Sequence, residues 1–428
     1  MRKIKEFIKK FFNLLVLKYK NRIYVKERLP YSKSNCDLLN YSASNMYAFL
    51  YQYVQKKQSR KLIFYIEYSN KDRLKKYQDY IKTIKNDSIK VVYLYKADNK
   101  KKVIPIKLLN IKNTIKKFSC KTWLCDSGDN FLNNGKLKSQ NVICFNYFIS
   151  CKNDLIIGQN FKWTYLKGLI TTSLLAGQIC SSALGVKLDC CRICGFPRND
   201  TFFEKKNEEK VLNWIKSRVG YIPKNIILYA PTYRDVNMDM KESVLYYHQE
   251  DKKEEKEFNS FQGELLGYCA DELSLFLEKS NSVFIYNLHH FEKGNITQEN
   301  SRMIAYEDNY EFTLYDLMAM ADCLISDYSS ISYDFLLLDR PLIFNLYDME
   351  KYIQMRGVSY DAFEEFCPGA IVKNWDEMKK ALIDVVEGVD EYKEHRARVR
   401  KLLHKYSDGN STDRVIAYFD EYLKNLLG

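Results

Sequence analysis

Proline and glycine are scarce in this sequence, with 7 and 16 residues among 428. Long disordered linkers are therefore not expected, since such segments are usually rich in these residues. Histidine is rarer still, with 5 residues, and none precedes His248. Neither a metal-ligand spacing nor a Walker lysine motif occurs, which argues against a structural metal site and a P-loop nucleotide site.

Charge is distributed unevenly along the chain. The net charge is +13, but residues 1–120 carry 30 Lys or Arg against 8 Asp or Glu, so that the remaining residues are net acidic. A basic N-terminal third beside an acidic remainder predicts a polyanionic partner, such as anionic lipid, nucleic acid or a phosphate polymer. The alternative is a protein with many solvated surface lysines. No recognised nucleic-acid motif supports that class of partner.

The first 24 residues favour a basic amphipathic helix. Apolar residues from Ile4 to Leu15 recur at helical spacing, and lysines fill the opposite face. The apolar run from Phe11 to Leu17 is too short to span a bilayer and lacks a cleavage site for a signal peptide. Residues 1–22 therefore predict an interfacial helix on anionic lipid, with a helix docked on the first domain as the alternative. The 12 cysteines without a signal peptide indicate free thiols in a reducing cytosol.

Strand and helix patterns alternate through the rest of the chain, which predicts an α/β protein. Lys61–Tyr68 and Val91–Tyr95 are apolar strand candidates before residue 205, and Asn225–Tyr229 and Cys323–Ile325 are candidates after it. At 428 residues, two domains are expected.

Residues 322–340, DCLISDYSSISYDFLLLDR, predict a strand, a tight turn and a helix. Ser329 and Ser330 fall at the helix start, where unpaired N–H groups and the helix dipole favour phosphate. Their hydroxyls would add donors to a phosphate cradle. The alternative is that both serines only cap the helix.

This stretch resembles the CDP-glycerol glycerophosphotransferase family of teichoic-acid and capsule polymerases. Further blocks match that family in the same order, from about residue 160 to the C-terminus: GFPRND at 195–200, ILYAPTYRD at 227–235, YNLHH at 286–290, RGVSYDAFEEFCPGAIV at 356–372 and, more weakly, SDGNSTDR at 407–414. The resemblance implies a GT-B fold, with two Rossmann-like domains and a cleft between them. The expected ranges are an N-terminal helix at 1–24, an acceptor domain at 25–205, a donor domain at 206–395 and terminal helices packing across the junction at 396–428.

The resemblance also implies which residues meet the donor. Arginines would pair with its phosphates through a bidentate fork, although a salt bridge is the alternative for each. His289 would contact the donor phosphates, and the alternative is that it is a buried histidine with a structural role. The donor-binding residues expected are Arg198, Pro231, Thr232, Arg234, Asn287, Leu288, His289, Ser329, Ser330 and Asp334. Cys190, Cys191 and Cys194 precede or join the GFPRND block and are expected to be buried thiols.

One departure from the family concerns the general base. The family has a Trp-His-Gly-Thr-Pro block in its first domain, whereas KTWLCDSGDNF at 121–131 has Leu124 and Cys125 in place of His and Gly. Either Asp126 or Asp129 replaces the missing histidine, His289 serves as the base, the acceptor differs, or activity is lost. Asp126 and His289 are the residues that we expect to be catalytic, and the alternative for Asp126 is an aspartate that caps a helix or stabilises a turn.

The resemblance therefore implies a transferase that moves glycerol phosphate or another polyol phosphate from a CDP-linked donor to a lipid-linked or polymer hydroxyl. The alternatives are a GT-B enzyme with another nucleotide sugar and an inactive scaffold of a polymer-synthesis complex. No cofactor and no nucleic-acid partner are expected, and a loosely bound magnesium ion is left open. The expected location is cytoplasmic, peripheral at the inner face of the membrane, with residues 1–22 on anionic lipid.

Overall fold

The computed structural model describes residues 20–25, 44–55, 61–68, 88–95, 119–126, 141–146, 149, 166–204, 207–232, 270–287, 302–306, 312–355 and 357–427. The chain divides into two compact units. The first comprises Met1–Tyr147, Gly158–Asp200 and Asp408–Gly428, and the second comprises Phe148–Ile157 and Thr201–Ser407. Residues 201–205 and 396–407 thus lie in the second unit, outside the 206–395 range expected for the donor domain.

A seven-stranded parallel sheet is the centre of the first unit. Its strands lie side by side in the order β3-β2-β1-β4-β5-β6-β7. They are β1 (Arg22–Val25), β2 (Leu62–Tyr68), β3 (Ile89–Tyr95), β4 (Thr122–Cys125), β5 (Asn141–Cys144), β6 (Leu166–Thr171) and β7 (Cys191–Ile193). Strands β1, β4 and β5 are almost wholly buried, because helices cover parallel sheets on both faces.

The second unit is built on a six-stranded parallel sheet in the order β10-β9-β8-β11-β12-β13. Its strands are β8 (Asn225–Tyr229), β9 (Ser282–Tyr286), β10 (Met303–Ala305), β11 (Cys323–Ser326), β12 (Leu342–Asn345) and β13 (Ala370–Val372). The chain adds strands on one side of β8 and then returns to add β11 to β13 on the other. This is the Rossmann-like order, and its switch point lies between β8 and β11.

The described part of the chain contains eleven helices. They are α1 (Asn45–Gln55), α2 (Leu174–Leu184), α3 (Thr201–Glu204), α4 (Glu208–Val219), α5 (Ala270–Lys279), α6 (Leu314–Met320), α7 (Ile331–Phe335), α8 (Met349–Met355), α9 (Trp375–Glu387), α10 (Lys393–Leu403) and α11 (Ser411–Leu427). Sequence signals set several of their ends. Ser173 caps α2 by accepting the Ala176 amide at 3.1 Å, and Gly185 ends that helix in a left-handed conformation. None of the helices that the structure describes is both long and apolar enough to cross a bilayer.

Apolar side chains between the sheets and helices form a separate core in each unit. In the first unit, Tyr24 and Trp123 pack against each other on neighbouring strands, with ring centroids 4.8 Å apart and an interplanar angle of 53°. In the second, Leu273 and Leu277 of α5 and Met378 of α9 pack with the central strands. Burial of this kind is the main stabilising term in folding, at roughly 25 cal/mol per Å² of apolar surface.

The structure corrects the end of the expected N-terminal helix. Residues 22–24, assigned to that helix from the sequence, form strand β1, and Ile23 and Tyr24 are fully buried in the sheet. Residues 1–19 lie outside the described residues, so the amphipathic helix itself stays a prediction. The strand candidates at 61–68, 91–95, 225–229 and 323–325 are confirmed to within a few residues.

Candidate functional site

The candidate site lies at the carboxyl edge of the second sheet, where β8 and β11 end side by side. The Ala230 amide, just after β8, donates to the Ile325 carbonyl of β11 at 2.9 Å. The Ser326 hydroxyl donates back to the Ala230 carbonyl at 2.8 Å. Ligands of open α/β sheets bind outside the carboxyl ends of the strands at the switch point, and this edge of the sheet is such a point.

Asp327 connects the two loops that leave these strands. Its Oδ1 accepts the Thr232 amide at 2.8 Å and the Ser329 amide at 3.2 Å. Asp327 is buried, with 3% of its surface exposed. Pro231 and Thr232 are therefore held beside the turn that carries Ser329, and their contact with a CDP-linked donor stays a prediction.

The serine pair is placed at the start of α7, and its hydroxyls do not cap that helix. Ser330 is the N-cap residue but makes no side-chain capping bond. Among the described residues, neither the Ser329 nor the Ser330 hydroxyl has a hydrogen-bond partner, and both residues are half-buried. The buried Ser332 hydroxyl donates to the Ser329 carbonyl at 2.7 Å and so stabilises the turn. The arrangement leaves two hydroxyls available at a rigid turn.

An aromatic stack supports this turn. The buried Tyr328 lies face to face with Tyr352, with centroids 3.6 Å apart and an interplanar angle of 5°. Phe363 lies 5.6 Å from the same ring, and the Tyr328 hydroxyl donates to Asp348 at 2.9 Å. These contacts hold Tyr328 in place directly before the serine pair. The sequence did not single out Tyr328 or its three contact residues as part of the site. Only Phe363 lies in the block at 356–372 that carried the resemblance, and Tyr328 lies in the stretch at 322–340.

Asp334 lies within the second unit, behind the turn. It is 0% exposed, and its Oδ2 accepts the Tyr315 hydroxyl at 2.7 Å. His404 lies nearby and donates from Nε2 to the Tyr333 carbonyl at 2.8 Å. Burial lowers the pKa of His404, although the charge of Asp334 opposes that shift. Its burial and its hydrogen bond from Tyr315 indicate a structural role for Asp334. Its contact with a CDP-linked donor stays a prediction.

Of the other residues expected to bind the donor from the second unit, Asn287 is among the described residues and three are not. Asn287 follows β9, is half-buried, and donates its amide to the Tyr229 carbonyl of β8 at 2.8 Å. It therefore joins the same edge of the sheet. Arg234, Leu288 and His289 lie outside the described residues, and their roles stay predictions.

Asp126 lies in the first unit, directly after β4. Its Oδ1 accepts the Met46 amide at 2.9 Å and its Oδ2 accepts the Ser44 hydroxyl. Asp126 is 2% exposed. Both oxygens thus hold the N-terminus of α1, which is the capping role weighed against catalysis. Asp129 lies outside the described residues.

Arg198 reaches the same end of α1. It lies in a 3₁₀ turn, Pro197–Asp200, and its amide donates to Asn45 Oδ1 at 3.3 Å. Its guanidinium lies 5.2 Å from the centroid of the Phe196 ring, and the residue is 5% exposed. The structure thus brings Arg198 and Asp126, which are distant in sequence, to consecutive residues at the start of one helix.

Two of the sequence blocks that carry the resemblance meet in the first unit. Asp200 accepts the Ser411 amide at 2.9 Å and the Thr412 amide at 2.7 Å, and so caps α11. Burial raises the pKa of Asp200, while these donors oppose the rise. Gly195 has φ +82°, and a Cβ there would lie 2.3 Å from Ser411 Oγ. These residues hold the fold of the unit together.

The cysteine group is only partly buried, which corrects the expectation for two of its members. Cys194 is buried, whereas Cys190 and Cys191 are half-buried. Burial raises the pKa of Cys191 and of Cys194 to about 11, so both thiols are protonated at neutral pH. Within the described residues, no group of three or more His, Cys, Asp or Glu side chains could hold a metal ion.

Comparison with known proteins supports a single family. The profile of the CDP-glycerol:poly(glycerophosphate) glycerophosphotransferase family matches residues 156–419. A teichoic acid glycerol-phosphate transferase of Staphylococcus aureus is 30% identical over 257 residues, which are 59% of this chain and 59% of that protein. A teichoic acid poly(glycerol phosphate) polymerase of Bacillus spizizenii is 32% identical over 224 residues, 52% of this chain and 50% of that protein. The matched regions thus span about half the length of these relatives.

Solved structures support the fold. The structure of the wall teichoic acid polymerase TagF superposes with a TM-score of 0.63 at 18% identity, covering 100% of this chain and 97% of that one. A UDP-GlcNAc 2-epimerase from Neisseria meningitidis gives a TM-score of 0.53 at 11% identity, covering 94% and 99%. The expected GT-B fold of two Rossmann-like sheets is confirmed. On the family match over residues 156–419, the chain belongs to the CDP-glycerol:poly(glycerophosphate) glycerophosphotransferase family.

Proposed function

We propose that this chain transfers a polyol phosphate, with glycerol phosphate as the first candidate, from a CDP-linked donor to a hydroxyl of a lipid-linked or polymer acceptor. The reaction would contribute to a teichoic acid or capsule of the cell surface. Family membership supports the reaction class. The relatives named above act on glycerol phosphate in teichoic acids, by their names.

The observation that carries the proposal is the pair of serine hydroxyls at the switch point of the second sheet. Both belong to a turn whose backbone Asp327 ties to Thr232. Neither hydroxyl is bonded to a described residue, so each is available as a donor to phosphate oxygens. A preorganised donor costs no rearrangement when negative charge develops on a transferring phosphoryl group.

In the proposed reaction, the acceptor hydroxyl oxygen attacks the phosphorus that bears the glycerol. A P–O bond forms to the acceptor, and the bond from the same phosphorus to the oxygen of CMP breaks. CMP leaves with that electron pair, and the hydroxyl proton passes to a base. Catalysis of this kind rests on positioning and on neutralising phosphate charge, and we propose that the serine pair, Arg198 and Arg234 carry out these roles, as the family resemblance implies.

For the base we propose His289, with Asp126 as the competing residue. The contacts of Asp126 favour His289, because both carboxylate oxygens already accept hydrogen bonds at the start of α1. His289→Ala should lower turnover by about 10²-fold or more if the imidazole moves the proton. Wild-type turnover with a lowered melting temperature would instead make His289 a structural residue.

The reaction is tested by incubating the purified chain with CDP-glycerol, CDP-ribitol or a UDP-sugar and measuring CMP or UDP release. The proposal predicts CMP release from a CDP-polyol that depends on an added acceptor. UDP release alone would support a glycosyltransferase, and no release with any donor would support a scaffold. Parallel reactions with added magnesium and with a chelator test the expectation that no tightly held metal is needed.

The proposed location is the inner face of the cytoplasmic membrane, with residues 1–19 as an interfacial anchor on anionic lipid. The sequence of that segment supports it, since basic and apolar residues alternate at helical spacing. Deleting residues 1–19, which leaves strand β1 intact, should weaken binding to anionic vesicles while keeping the melting temperature. Undiminished binding would contradict the anchor.

A further inference from the structure

Helix α10 buries a stripe of polar side chains. Arg396, Arg400 and His404 are spaced four residues apart, so that they share one face of the helix and its C-terminal end. Arg396 and His404 are buried, and Arg400 is half-buried. Arginine is rarely fully buried unless it is paired. The partners of the stripe therefore indicate what this face of α10 does.

Two members of the stripe donate to backbone carbonyls of the element that follows the serine pair. That element is α7 together with the 3₁₀ turn Leu336–Leu338, which continues it directly. His404 donates from Nε2 to the Tyr333 carbonyl at 2.8 Å, and Arg400 donates from Nη1 to the Leu336 carbonyl at 3.3 Å. The last carbonyls of a helix lack partners within it, and basic side chains can supply them.

Asp339 joins the end of this element to the same face of α10. It follows the 3₁₀ turn in a left-handed conformation, with φ +52°, which is uncommon for a residue other than glycine. Its Oδ1 forms ion pairs with Arg400 at 3.1 Å and with Arg396 at 3.6 Å. Arg396 is held in turn by Asp390, whose Oδ1 accepts from Nη1 at 2.8 Å. The stripe therefore fixes α7 and its continuation along their length.

The Tyr333 backbone connects His404 to the serine pair by a short route. The Tyr333 amide donates to the Ser330 carbonyl at 3.2 Å, while the Tyr333 carbonyl accepts the bond from His404. One residue thus separates the imidazole from Ser330, although His404 lies 71 residues beyond Tyr333 in the sequence. A displacement of Tyr333 would move the backbone that carries the Ser330 hydroxyl.

His404 serves in this arrangement as a fixed hydrogen-bond donor, because its side chain is enclosed by the protein. The residue is 5% exposed. Burial lowers its pKa, so the imidazole is neutral at neutral pH and carries one N–H, which the Tyr333 carbonyl accepts. Asp327 holds the same turn through the Ser329 amide at 3.2 Å. The serine pair is therefore held by Asp327 through Ser329 and by His404 through Ser330.

We propose that His404 and Arg400 are positioning residues for the transfer reaction. By holding α7, they keep the Ser329 and Ser330 hydroxyls where these bind the phosphates of the CDP-linked donor. The inference rests on the proposed function, since it requires that the serine pair contacts the donor. A misplacement of about 1 Å can cost ~10²-fold in an enzyme reaction, so a small shift of α7 is sufficient to weaken binding. Neither His404 nor Arg400 is expected to touch the donor.

Two substitutions at His404 separate positioning from burial. His404→Leu keeps a side chain of similar size but removes the bond to the Tyr333 carbonyl, whereas His404→Gln can still donate to that carbonyl. Calorimetric titration of CDP-glycerol into the full chain should give a Kd raised about tenfold in His404→Leu and within about twofold of wild type in His404→Gln. Thermal unfolding establishes that each variant folds. Arg400→Met, at a half-buried position, is a further variant and should raise the Kd about threefold or more.

Amide hydrogen exchange tests the hold on α7 in the absence of any ligand. The Tyr333 and Asp334 amides both donate to the Ser330 carbonyl, and local opening of α7 would expose them to solvent. We expect both amides to exchange about tenfold faster in His404→Leu and at the wild-type rate in His404→Gln. Unchanged exchange in His404→Leu would overturn the positioning role.

His395→Ala is a matched control on the same helix. His395 makes the same kind of bond, from Nε2 to the Glu365 carbonyl at 2.8 Å, but to a segment other than α7. The Kd for CDP-glycerol should therefore stay within about twofold of wild type in this variant. An equal rise in Kd for His395→Ala and His404→Leu would overturn the inference, because any lost contact of α10 would then have the same effect.

A double-mutant cycle establishes whether His404 acts through the serine pair. Adding His404→Leu to Ser329→Ala with Ser330→Ala should change the Kd by less than about twofold, since the hydroxyls that His404 positions are already absent. A further rise of about tenfold in that background would overturn the inference. Wild-type Kd in His404→Leu beside a weakened serine variant would overturn the inference and leave the proposed donor site intact. Wild-type Kd in the serine variant would contradict the donor site and, with it, this inference.

Discussion

Asp327 Oδ1 accepts the Thr232 amide at 2.8 Å and thereby joins the loops that follow two neighbouring strands. The same oxygen accepts the Ser329 amide. One buried carboxylate therefore fixes the spacing between the residues after β8 and the serine pair after β11. In a site that recognises a phosphate, this spacing decides whether donors from both loops can reach the same ligand.

Asp327→Ala should weaken donor binding through this spacing. The change leaves two backbone amides without their acceptor, which costs about 1–3 kcal/mol of stability. We expect the Kd for CDP-glycerol to rise about tenfold or more, because the loops that carry Thr232 and Ser329 would no longer be held at a fixed spacing. Calorimetric titration measures the affinity, and thermal unfolding measures the stability.

Asp322 offers a matched control at the opposite edge of the same sheet. Its Oδ2 accepts the Ile226 amide at 2.8 Å, between the same two strands but at their starts. Asp322→Ala should cost similar stability and leave the donor Kd within about twofold of wild type, a margin set by its distance from the phosphate. Equal losses of affinity in both variants would contradict the positioning role of Asp327.

Asp126→Asn tests the capping role found in the first unit. The neutral amide holds the start of α1 less well, and loss of an N-cap interaction costs about 0.5–2 kcal/mol. Turnover at saturating donor and acceptor should stay within about threefold of wild type, since a general base typically contributes 10²-fold or more. A fall of about 10²-fold with unchanged stability would restore Asp126 as the base.

Gly195→Ala should destabilise the junction between the GFPRND and SDGNSTDR blocks. The residue has φ +82°, and the added Cβ would lie 2.3 Å from Ser411 Oγ. A strained backbone of this kind costs about 1–3 kcal/mol, before the cost of displacing Ser411. Gly185→Ala is the control, because its φ is also positive, at +61°, but nothing lies within 4 Å of its Cβ position. Equal unfolding free energies for the two variants would exclude the contact with Ser411 as a source of the loss.

His404 predicts a dependence of stability on pH. Burial holds its pKa below the ordinary value, although Asp334 opposes this shift and Arg400 adds to it. As pH falls through about 6.5, the unfolded chain gains a proton at this side chain before the folded chain does, so unfolding becomes more favourable. The contribution of neutral His404 to the free energy of unfolding is therefore present above that pH and is lost as the pH falls below it.

The variant that tests this dependence is His404→Gln, which can still donate to the Tyr333 carbonyl. Denaturant unfolding at several pH values between neutral and mildly acidic gives the slope for each protein. The wild type should lose more stability on acidification than the variant does. Parallel slopes would show that another group governs the loss.

Much of the second unit was predictable because its signals are local. Asn225–Tyr229 is a short apolar run between polar residues, and strand β8 has the same bounds. The turn at Asp327–Ser330 was expected from the change of polarity after Ile325. For the serine hydroxyls, the sequence allowed both phosphate binding and helix capping. A sequence does not show whether a hydroxyl accepts a hydrogen bond from the backbone of its own helix.

The contacts that depend on distant parts of the chain were not predictable. Arg22–Val25 is only a short extension of a helical pattern in sequence, and it becomes a strand because β2 and β4 pair with it on both sides. The stack of Tyr328 on Tyr352 and the capping of α1 by Asp126 likewise join residues from separate elements. Periodicity reports only on neighbours along the chain.

The central claim is that a CDP-linked donor binds at the serine pair, and calorimetric titration of CDP-glycerol into wild type and into Ser329→Ala with Ser330→Ala tests it most directly. The half-buried hydroxyls make no bond to described residues, so their loss should leave the melting temperature unchanged. Two hydrogen bonds to a charged phosphate contribute ~1.5–3 kcal/mol each, so the account predicts a rise in donor Kd of about 10²-fold or more. Wild-type affinity in the folded double variant would contradict it.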